Sequence, residues 1–191
     1  MTTMPAQADR LRRRAARDGF EASSEPEVGR LLAALASSKP GGVFLELGTG
    51  AGLGTASLLS GMSRDARLVT IELSGALSQA AQDEINDPRV EWVIADGGPW
   101  LAARHPGRRR YDLIFADAWP GKFTHLDEAL ELVAVGGLYV VDDLLPQENW
   151  PPSHKASVDA LTSRLASLPG WRSFRADLGS GVMVCVRCAP E

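Results

Sequence analysis

The chain has 191 residues, of which 45% are hydrophobic, and it carries a formal net charge of −4 at pH 7. A chain of this length can bury one core, and its small negative charge argues against an extensive nucleic-acid-binding surface. No apolar run reaches the length of a membrane span, and the amino terminus lacks the apolar segment of a secretory signal, so a cytoplasmic location is expected.

The first 40 residues are predicted to form one or two helices. Pro26 stands where a helix commonly begins, and Leu31, Leu32 and Leu35 recur at a helical spacing. From residue 41 onward, short apolar runs alternate with helical stretches. We therefore divide the chain into an amino-terminal helical extension or lid, residues 1–40, and one larger domain, residues 41–191.

A glycine-rich turn follows the first predicted strand, Val43–Leu47, with glycines at every second position from 48 to 54. Such a turn leaves backbone N–H groups bare at the start of a helix, where they bind anionic or polar small molecules. The dinucleotide fingerprint needs a small residue at position 53, and Leu53 stands there. The turn predicts a nucleotide-type cofactor and disfavours NAD.

Acidic residues end the next two predicted strands. Glu72 closes strand 67–71 about twenty residues after the glycines, where a carboxylate can accept from both hydroxyls of a ribose. Asp96 and Gly97 follow strand 90–94 in a turn suited to reading an adenine amino group, although Asp96 equally suits the N-cap of the next helix. These residues predict an adenosine ligand.

Three carboxylates follow the fourth and fifth predicted strands. Asp117 comes after strand 111–116, and Asp142 and Asp143 come after strand 136–141. The carboxyl ends of neighbouring parallel strands open into one crevice, so these side chains are expected to converge. Like charges at that distance repel, and a hard divalent cation such as Mg²⁺ or Ca²⁺ is the predicted compensation. The alternative is that Asp142 and Asp143 merely form a turn.

The run from Glu46 to Gly52 reads Glu-x-Gly-x-Gly-x-Gly and resembles motif I of class I S-adenosylmethionine-dependent methyltransferases. With the three aspartates, the chain resembles the metal-dependent O-methyltransferases of the catechol and caffeoyl-coenzyme A type over about residues 20 to 188. The resemblance implies S-adenosylmethionine as cofactor, a divalent metal, a small, aromatic, hydroxylated acceptor, and a homodimer.

Site roles also follow from this resemblance. The metal ligands would be Asp117, Asp142 and Asp143, and Asp143 stands where the family has Asn. Lys122 would be the base, its pKa lowered by the metal and by burial, unless it is a solvated loop lysine. Two extra residues, Pro120 and Gly121, lengthen the spacing from Asp117 to Lys122. The implied cofactor-binding residues are Glu46, Gly48, Thr49, Gly50, Glu72, Leu73, Asp96, Gly97 and Asp117.

The segment 144–155 is rich in proline and is predicted to be a loop that shapes the acceptor pocket. Trp150 would wall an aromatic acceptor or pin the loop to the body. His154, the third candidate catalytic residue beside Lys122 and Asp117, would reach the reacting hydroxyl or begin a helix.

The last two predicted strands, 171–176 and 181–187, are separated by a short turn and should form an antiparallel hairpin. Cys185 and Cys188 have C-x-x-C spacing, but an offset of three in a strand turns the side chains to opposite faces, which favours buried cysteine over a metal or redox pair. Helices are expected near 53–61, 75–85, 98–104, 124–133 and 153–168. The predicted fold is therefore α/β, a doubly wound and mostly parallel seven-stranded sheet ending in an antiparallel hairpin.

Three other functions remain open from the sequence. One is an RNA-modifying methyltransferase of the same fold, and another is a non-catalytic S-adenosylmethionine-binding protein. The third is an NAD(P)-dependent reductase, which Leu53 and the terminal hairpin disfavour.

Overall fold

The computed structural model describes residues 6–17, 19, 24–104, 110–147 and 150–189. The strands are β1 Val43–Leu47, β2 Arg67–Glu72, β3 Val90–Ile94, β4 Tyr111–Ala116, β5 Val133–Val141, β6 Trp171–Ala176 and β7 Val182–Arg187. The helices are α1 Ala6–Arg17, α2 Pro26–Ser37, α3 Leu53–Gly61, α4 Gly75–Glu84, α5 Gly97–Ala102, α6 Trp119–Lys122, α7 Leu126–Glu131 and α8 Pro152–Ala166.

The seven strands form one sheet of order β3-β2-β1-β4-β5-β7-β6. Strands β1 to β5 pair in parallel with their neighbours, whereas β7 is antiparallel to both β5 and β6. The predicted fold class is confirmed, including the terminal hairpin. Because the order reverses direction at β1 and β4, the carboxyl ends of these two strands flank the crevice in which doubly wound sheets bind ligands.

Helices cover both faces of the sheet because side chains alternate along each strand. On β1, Phe44 packs with α1, α2 and α3, while Leu45 and Leu47 face the opposite layer with α5, α7 and α8. The amino-terminal helices belong to the first of these clusters through Leu11 and Leu32, both nearly inaccessible to solvent. Residues 6–17 and 26–37 therefore share the core of the larger domain.

The bounds of three elements differ from the sequence prediction. Strand β5 begins at Val133 rather than at residue 136, and the helix expected over 124–133 is confined to Leu126–Glu131. The register between β4 and β5 slips where the chain passes through Gly136, whose φ is +74°, so a bulge lies inside the strand. Helix α8 begins at Pro152, one residue before the helix predicted over 153–168 and inside the segment predicted to be a loop, since proline is tolerated in the first turn of a helix.

Among the described residues, no helix combines the length and the apolar character that crossing a membrane requires. The two cysteines are free: Cys185 is buried, and Cys188 is partly exposed just beyond the end of β7.

Candidate active site

A cavity of about 490 Å³ opens at the carboxyl ends of the parallel strands. Its volume lies in the usual range for small-molecule sites. One end is walled by the glycine turn after β1 and by Glu72. The other end is walled by carboxylates, by Lys122 and by aromatic rings. Of the nine residues predicted to bind a cofactor, the cavity wall contains four, Gly48, Gly50, Glu72 and Asp117.

The glycine turn brings the β1 and β4 loops close together. Gly48 has a φ of +96°, and a Cβ at this position would lie 2.8 Å from the carbonyl oxygen of Asp117. Only glycine is therefore compatible with this approach. The N–H groups of Gly48 and Thr49 both donate to the carbonyl oxygen of Ile71, and the Thr49 hydroxyl lies 2.6 Å from that of Thr70. Thr49 thus faces β2 and not the cavity.

Glu72 links two loops at the cofactor end of the cavity. Its Oε2 accepts from the N–H of Gly50 at 2.9 Å, and its Oε1 accepts from the N–H of Ser74 at 2.9 Å. A carboxylate oxygen has two acceptor positions, so each oxygen keeps one for a ligand hydroxyl. The neighbouring Leu73 is 72% exposed and lies outside the cavity wall.

Glu46 lies behind the glycine turn rather than on the cavity wall. Alternation along β1 puts its side chain on the same face as Phe44, and it is fully buried. Its Oε2 accepts from the hydroxyls of Thr55 and Thr70, while Oε1 has no hydrogen-bond partner among the described residues. Burial raises the pKa of Glu46 to about 7. Glu46 therefore joins α3 to β2 behind the turn, and its contact with a cofactor stays a prediction.

Asp96 caps helix α5. Its side chain accepts from the N–H of Gly98 at 2.9 Å, which is the capping alternative left open by the sequence. Neither Asp96 nor Gly97 lines the cavity. A role for either in holding adenine stays a prediction.

The three aspartates do converge. One oxygen of each of Asp117, Asp142 and Asp143 lies within 4.8 Å of the other two, because β4 and β5 are neighbours. Lys122 joins them: its Nζ is 3.1 Å from Oδ2 of Asp143 and 3.4 Å from Oδ1 of Asp117. Its side chain is only 5% exposed, so it is not a solvated loop lysine.

The turn at Pro120 and Gly121 explains why Lys122 points inward. Gly121 adopts a φ of +90°, which breaks the helical turn, and its N–H donates to the carbonyl oxygen of Thr124 at 2.7 Å. The buried hydroxyl of Tyr139 donates to the carbonyl oxygen of Gly121. Side chains of Leu47 and Tyr139 occupy the space where a Cβ would stand. The turn is thus held from both sides.

The charges in this cluster are strongly coupled. Burial raises the pKa of Asp117 well above its usual range and raises that of Asp142 to about 6. Burial acts in the same direction on Asp143, but the Lys122 ammonium and the hydrogen bonds to Asp143 together outweigh it and lower the Asp143 pKa. For Lys122, burial disfavours the charge, yet Asp117, Asp143 and Asp142 together raise its pKa. The expected lowering of the Lys122 pKa has the wrong sign here, because the carboxylates dominate.

Three further polar residues approach the aspartates, and the sequence analysis missed them. The Ser180 hydroxyl lies 2.7 Å from Oδ1 of Asp142 and 3.1 Å from Oε2 of Glu25. Gln147 donates to Oδ1 of Asp143 at 3.1 Å. Glu25 and Ser180 are 155 positions apart in the chain, so no local motif could have joined them.

Aromatic rings form the remaining wall. His154, in the first turn of α8, lies 4.3 Å from Trp150, 5.1 Å from Phe123 and 5.7 Å from Trp119, measured between ring centroids. All four residues line the cavity. Trp150 also packs against the main hydrophobic cluster, so it both pins the loop and walls the cavity. His154 lies near the start of a helix and also lines the cavity, and its contact with a reacting hydroxyl stays a prediction.

The residues present do not fit a divalent metal ion in the manner that the family resemblance implies. Carboxylate oxygens are suitable ligands for Mg²⁺. Here, however, the Lys122 ammonium lies beside Asp117 and Asp143, and Oδ1 of Asp142 already accepts from Ser180 and from the N–H of Asp143. The metal-ligand roles stay a prediction, against which the position of Lys122 argues.

No protein-family model matches the chain. A Mycobacterium marinum protein described as a "Putative O-methyltransferase" is 31% identical over 178 residues, covering 85% of this chain and 76% of that protein. A Mycolicibacterium vanbaalenii protein of the same description is 34% identical over 127 residues, covering 61% of this chain and 53% of that protein. The second match therefore spans about half of the relative.

Solved structures share the fold. A protein from Corynebacterium glutamicum superposes with a TM-score of 0.86 at 21% identity, covering 100% of this chain and 94% of that one. The O-methyltransferase TomG from Streptomyces achromogenes, solved in complex with SAM, gives 0.82 at 20% identity, covering 98% and 92%. An O-methyltransferase from Bacillus cereus in complex with SAH gives 0.83 at 21% identity, covering 98% and 93%.

Proposed function

The chain belongs to the O-methyltransferase family of its mycobacterial relatives, and from that premise we propose that it transfers the methyl group of S-adenosylmethionine to a hydroxyl of a small aromatic acceptor. One observation supports this most strongly. A single cavity has a glycine cradle and Glu72 at one end, and a cation, carboxylates and aromatic rings at the other.

The cofactor end suits an adenosine with a cationic tail. The remaining acceptor positions of Glu72 would take the ribose hydroxyls, and the absence of side chains at Gly48 and Gly50 would let the ligand lie close to the backbone of the turn. Asp117, at the junction of the two ends, would face the positively charged sulfonium and methionine groups. The fit depends on the close approach at Gly48, which a larger residue would obstruct.

The proposed reaction is an in-line displacement at the methyl carbon. The acceptor oxygen forms a bond to carbon while the carbon–sulfur bond breaks, and neutral S-adenosylhomocysteine leaves. Alignment of the two bound reactants supplies much of the barrier reduction. The Lys122 ammonium would stabilise charge that develops on the acceptor oxygen as its proton leaves. This assignment replaces the base role expected from the sequence, because the carboxylates hold Lys122 in its charged form.

His154 is the proposed acceptor of the hydroxyl proton. It lines the cavity among aromatic rings, and a neutral imidazole is a common general base near neutral pH. Trp119, Phe123 and Trp150 would contact the ring of the acceptor. A homodimer, which the family resemblance implies, is a further proposal that light scattering of the purified protein would test.

The experiment is an assay of S-adenosylhomocysteine formation with a panel of hydroxylated aromatic compounds. We expect product with at least one acceptor and a sharp loss in the His154→Ala variant. Cofactor binding without product for any acceptor would favour the non-catalytic alternative. Co-purification of transfer RNA, with methyl transfer to it, would instead favour an RNA substrate.

A further inference from the structure

We propose that the ammonium group of Lys122 takes the place of a divalent metal ion in this site, as the cation that holds Asp117, Asp142 and Asp143 together and faces the acceptor oxygen. The proposal rests on the proposed function only for the identity of that oxygen. The claim that an internal cation neutralises the cluster of carboxylates does not depend on the proposed function.

The first argument is that the two departures from the pattern implied by the family resemblance meet in space. Asp143 stands where that pattern has asparagine and adds a negative charge, while Pro120 and Gly121 make the spacing from Asp117 to Lys122 longer than that pattern has it. Nζ of Lys122 lies 3.1 Å from Oδ2 of Asp143 itself. The carboxylate of Asp143 and the lysine that follows Pro120 and Gly121 therefore form one ion pair. This pair accounts for both departures together.

The second argument is that the lysine is held in place. Its side chain is 5% exposed, and the preceding turn is fixed by the Tyr139 hydroxyl, which donates to the carbonyl oxygen of Gly121. The N–H of Gly121 is bonded to Thr124 at 2.7 Å. A lysine anchored in this way does not swing into solvent when an ion arrives, so an ion would have to bind beside a fixed positive charge.

The third argument concerns the carboxylate oxygens that an ion would need. Oδ1 of Asp142 accepts from Ser180 at 2.7 Å and from the N–H of Asp143 at 2.8 Å. Both oxygens of Asp143 are engaged, one by Lys122 and the other by Gln147. Mg²⁺ demands a nearly octahedral set of oxygen ligands and gives up its water reluctantly. Because a carboxylate oxygen has two acceptor positions, Oδ1 of Asp142 could join such a set only after one of its two hydrogen bonds breaks.

An ammonium can supply the charge that the methyl transfer requires. As the acceptor hydroxyl loses its proton to a base, the oxygen becomes negative, and a fixed cation in a partly closed cavity stabilises it. The oxygen then bonds to the methyl carbon and the carbon–sulfur bond breaks. Lys122 keeps all its protons throughout, so the step balances without a metal.

Mn²⁺ binding tests the proposal without any turnover. Free Mn²⁺ gives a strong paramagnetic resonance signal that is lost on binding, so it can be titrated against wild type, Lys122→Met, Lys122→Arg and Lys155→Met. Lys155 is the matched control because its side chain is 66% exposed and forms an ion pair with Asp159, which is also exposed. Titration of S-adenosylmethionine into the same samples reports separately on the proposed function.

We expect wild type, Lys122→Arg and Lys155→Met to leave millimolar Mn²⁺ free. Lys122→Met, which leaves three carboxylates without a cation, should bind Mn²⁺ at least about tenfold more tightly than wild type. Stoichiometric Mn²⁺ binding by wild type at micromolar concentration would overturn the proposal, and so would equal affinities of wild type and a folded Lys122→Met variant. If thermal unfolding shows that Lys122→Met does not fold, the wild-type titration decides alone.

Discussion

Replacing Glu46 by glutamine should remove a large part of the pH dependence of the protein's stability. Glu46 is fully buried beneath the glycine turn, and one of its carboxylate oxygens has no hydrogen-bond partner among the described residues. Burial raises its pKa from 4.5 to about 7. Between these values the folded protein holds a proton that the unfolded chain releases.

The sign follows from that difference. The stability associated with protonated Glu46 is fully present below about pH 4.5 and is lost as the pH rises through about 7. The full difference corresponds to about 3 kcal/mol of the free energy of unfolding. Burial also raises the pKa of Asp142 and Asp117, so wild type loses more than this over the same interval. Comparison with Glu46→Gln isolates the contribution of the one residue.

The assay is urea unfolding of both proteins, without ligand, at about pH 5 and about pH 8. Relative to Glu46→Gln, the free energy of unfolding of wild type should fall by about 2.5 kcal/mol between the two conditions, because at about pH 5 the unfolded chain is already largely ionised at Glu46. The exposed Glu131, at the end of α7, provides the control variant Glu131→Gln, whose pH profile should follow that of wild type. Parallel profiles for wild type and Glu46→Gln would refute the reasoning, because Glu46 would then ionise as it does in the unfolded chain.

Three further outcomes are expected. Glu72→Ala should weaken S-adenosylmethionine binding by at least about a hundredfold, since hydrogen bonds from the ribose to a charged group are lost; an unchanged dissociation constant by calorimetry would contradict this. Gly48→Ala should lower the free energy of unfolding by more than about 1 kcal/mol, because of its φ of +96° and the contact with Asp117, and an unchanged melting temperature would count against it. Tyr139→Phe leaves the buried Gly121 carbonyl without its hydrogen bond and should lower the free energy of unfolding by about 1–3 kcal/mol. Turnover should also fall, because the turn that positions Lys122 is less constrained. Full turnover would disprove this connection between Tyr139 and Lys122.

Much of the fold was predictable because its signals are local. Consecutive residues indicate most of the strands, the glycine turn and the acidic residues at the strand ends. Parallel pairing of β4 and β5 then brings Asp117 close to Asp142 and Asp143. The inward direction of Glu46 was also accessible, since alternation places it on the same face as Phe44. The resemblance to motif I led instead to the prediction that Glu46 binds the cofactor.

Other features depend on contacts between distant residues. The raised pKa of Lys122 arises from aspartates on two neighbouring strands, and the bonds of Ser180 reach Glu25 across the whole chain. Neither the sign nor the partners could be derived from spacing. The early start of β5 was missed because Gly136 indicates a turn, whereas in the structure it lies at a bulge inside the strand.

Calorimetric titration of S-adenosylmethionine into the purified protein, with NADH as the control ligand, tests the central claim most directly. We predict stoichiometric binding of S-adenosylmethionine, equally in buffer with Mg²⁺ and in buffer with chelator, and no heat from NADH. Binding of NADH without binding of S-adenosylmethionine would contradict the methyltransferase assignment.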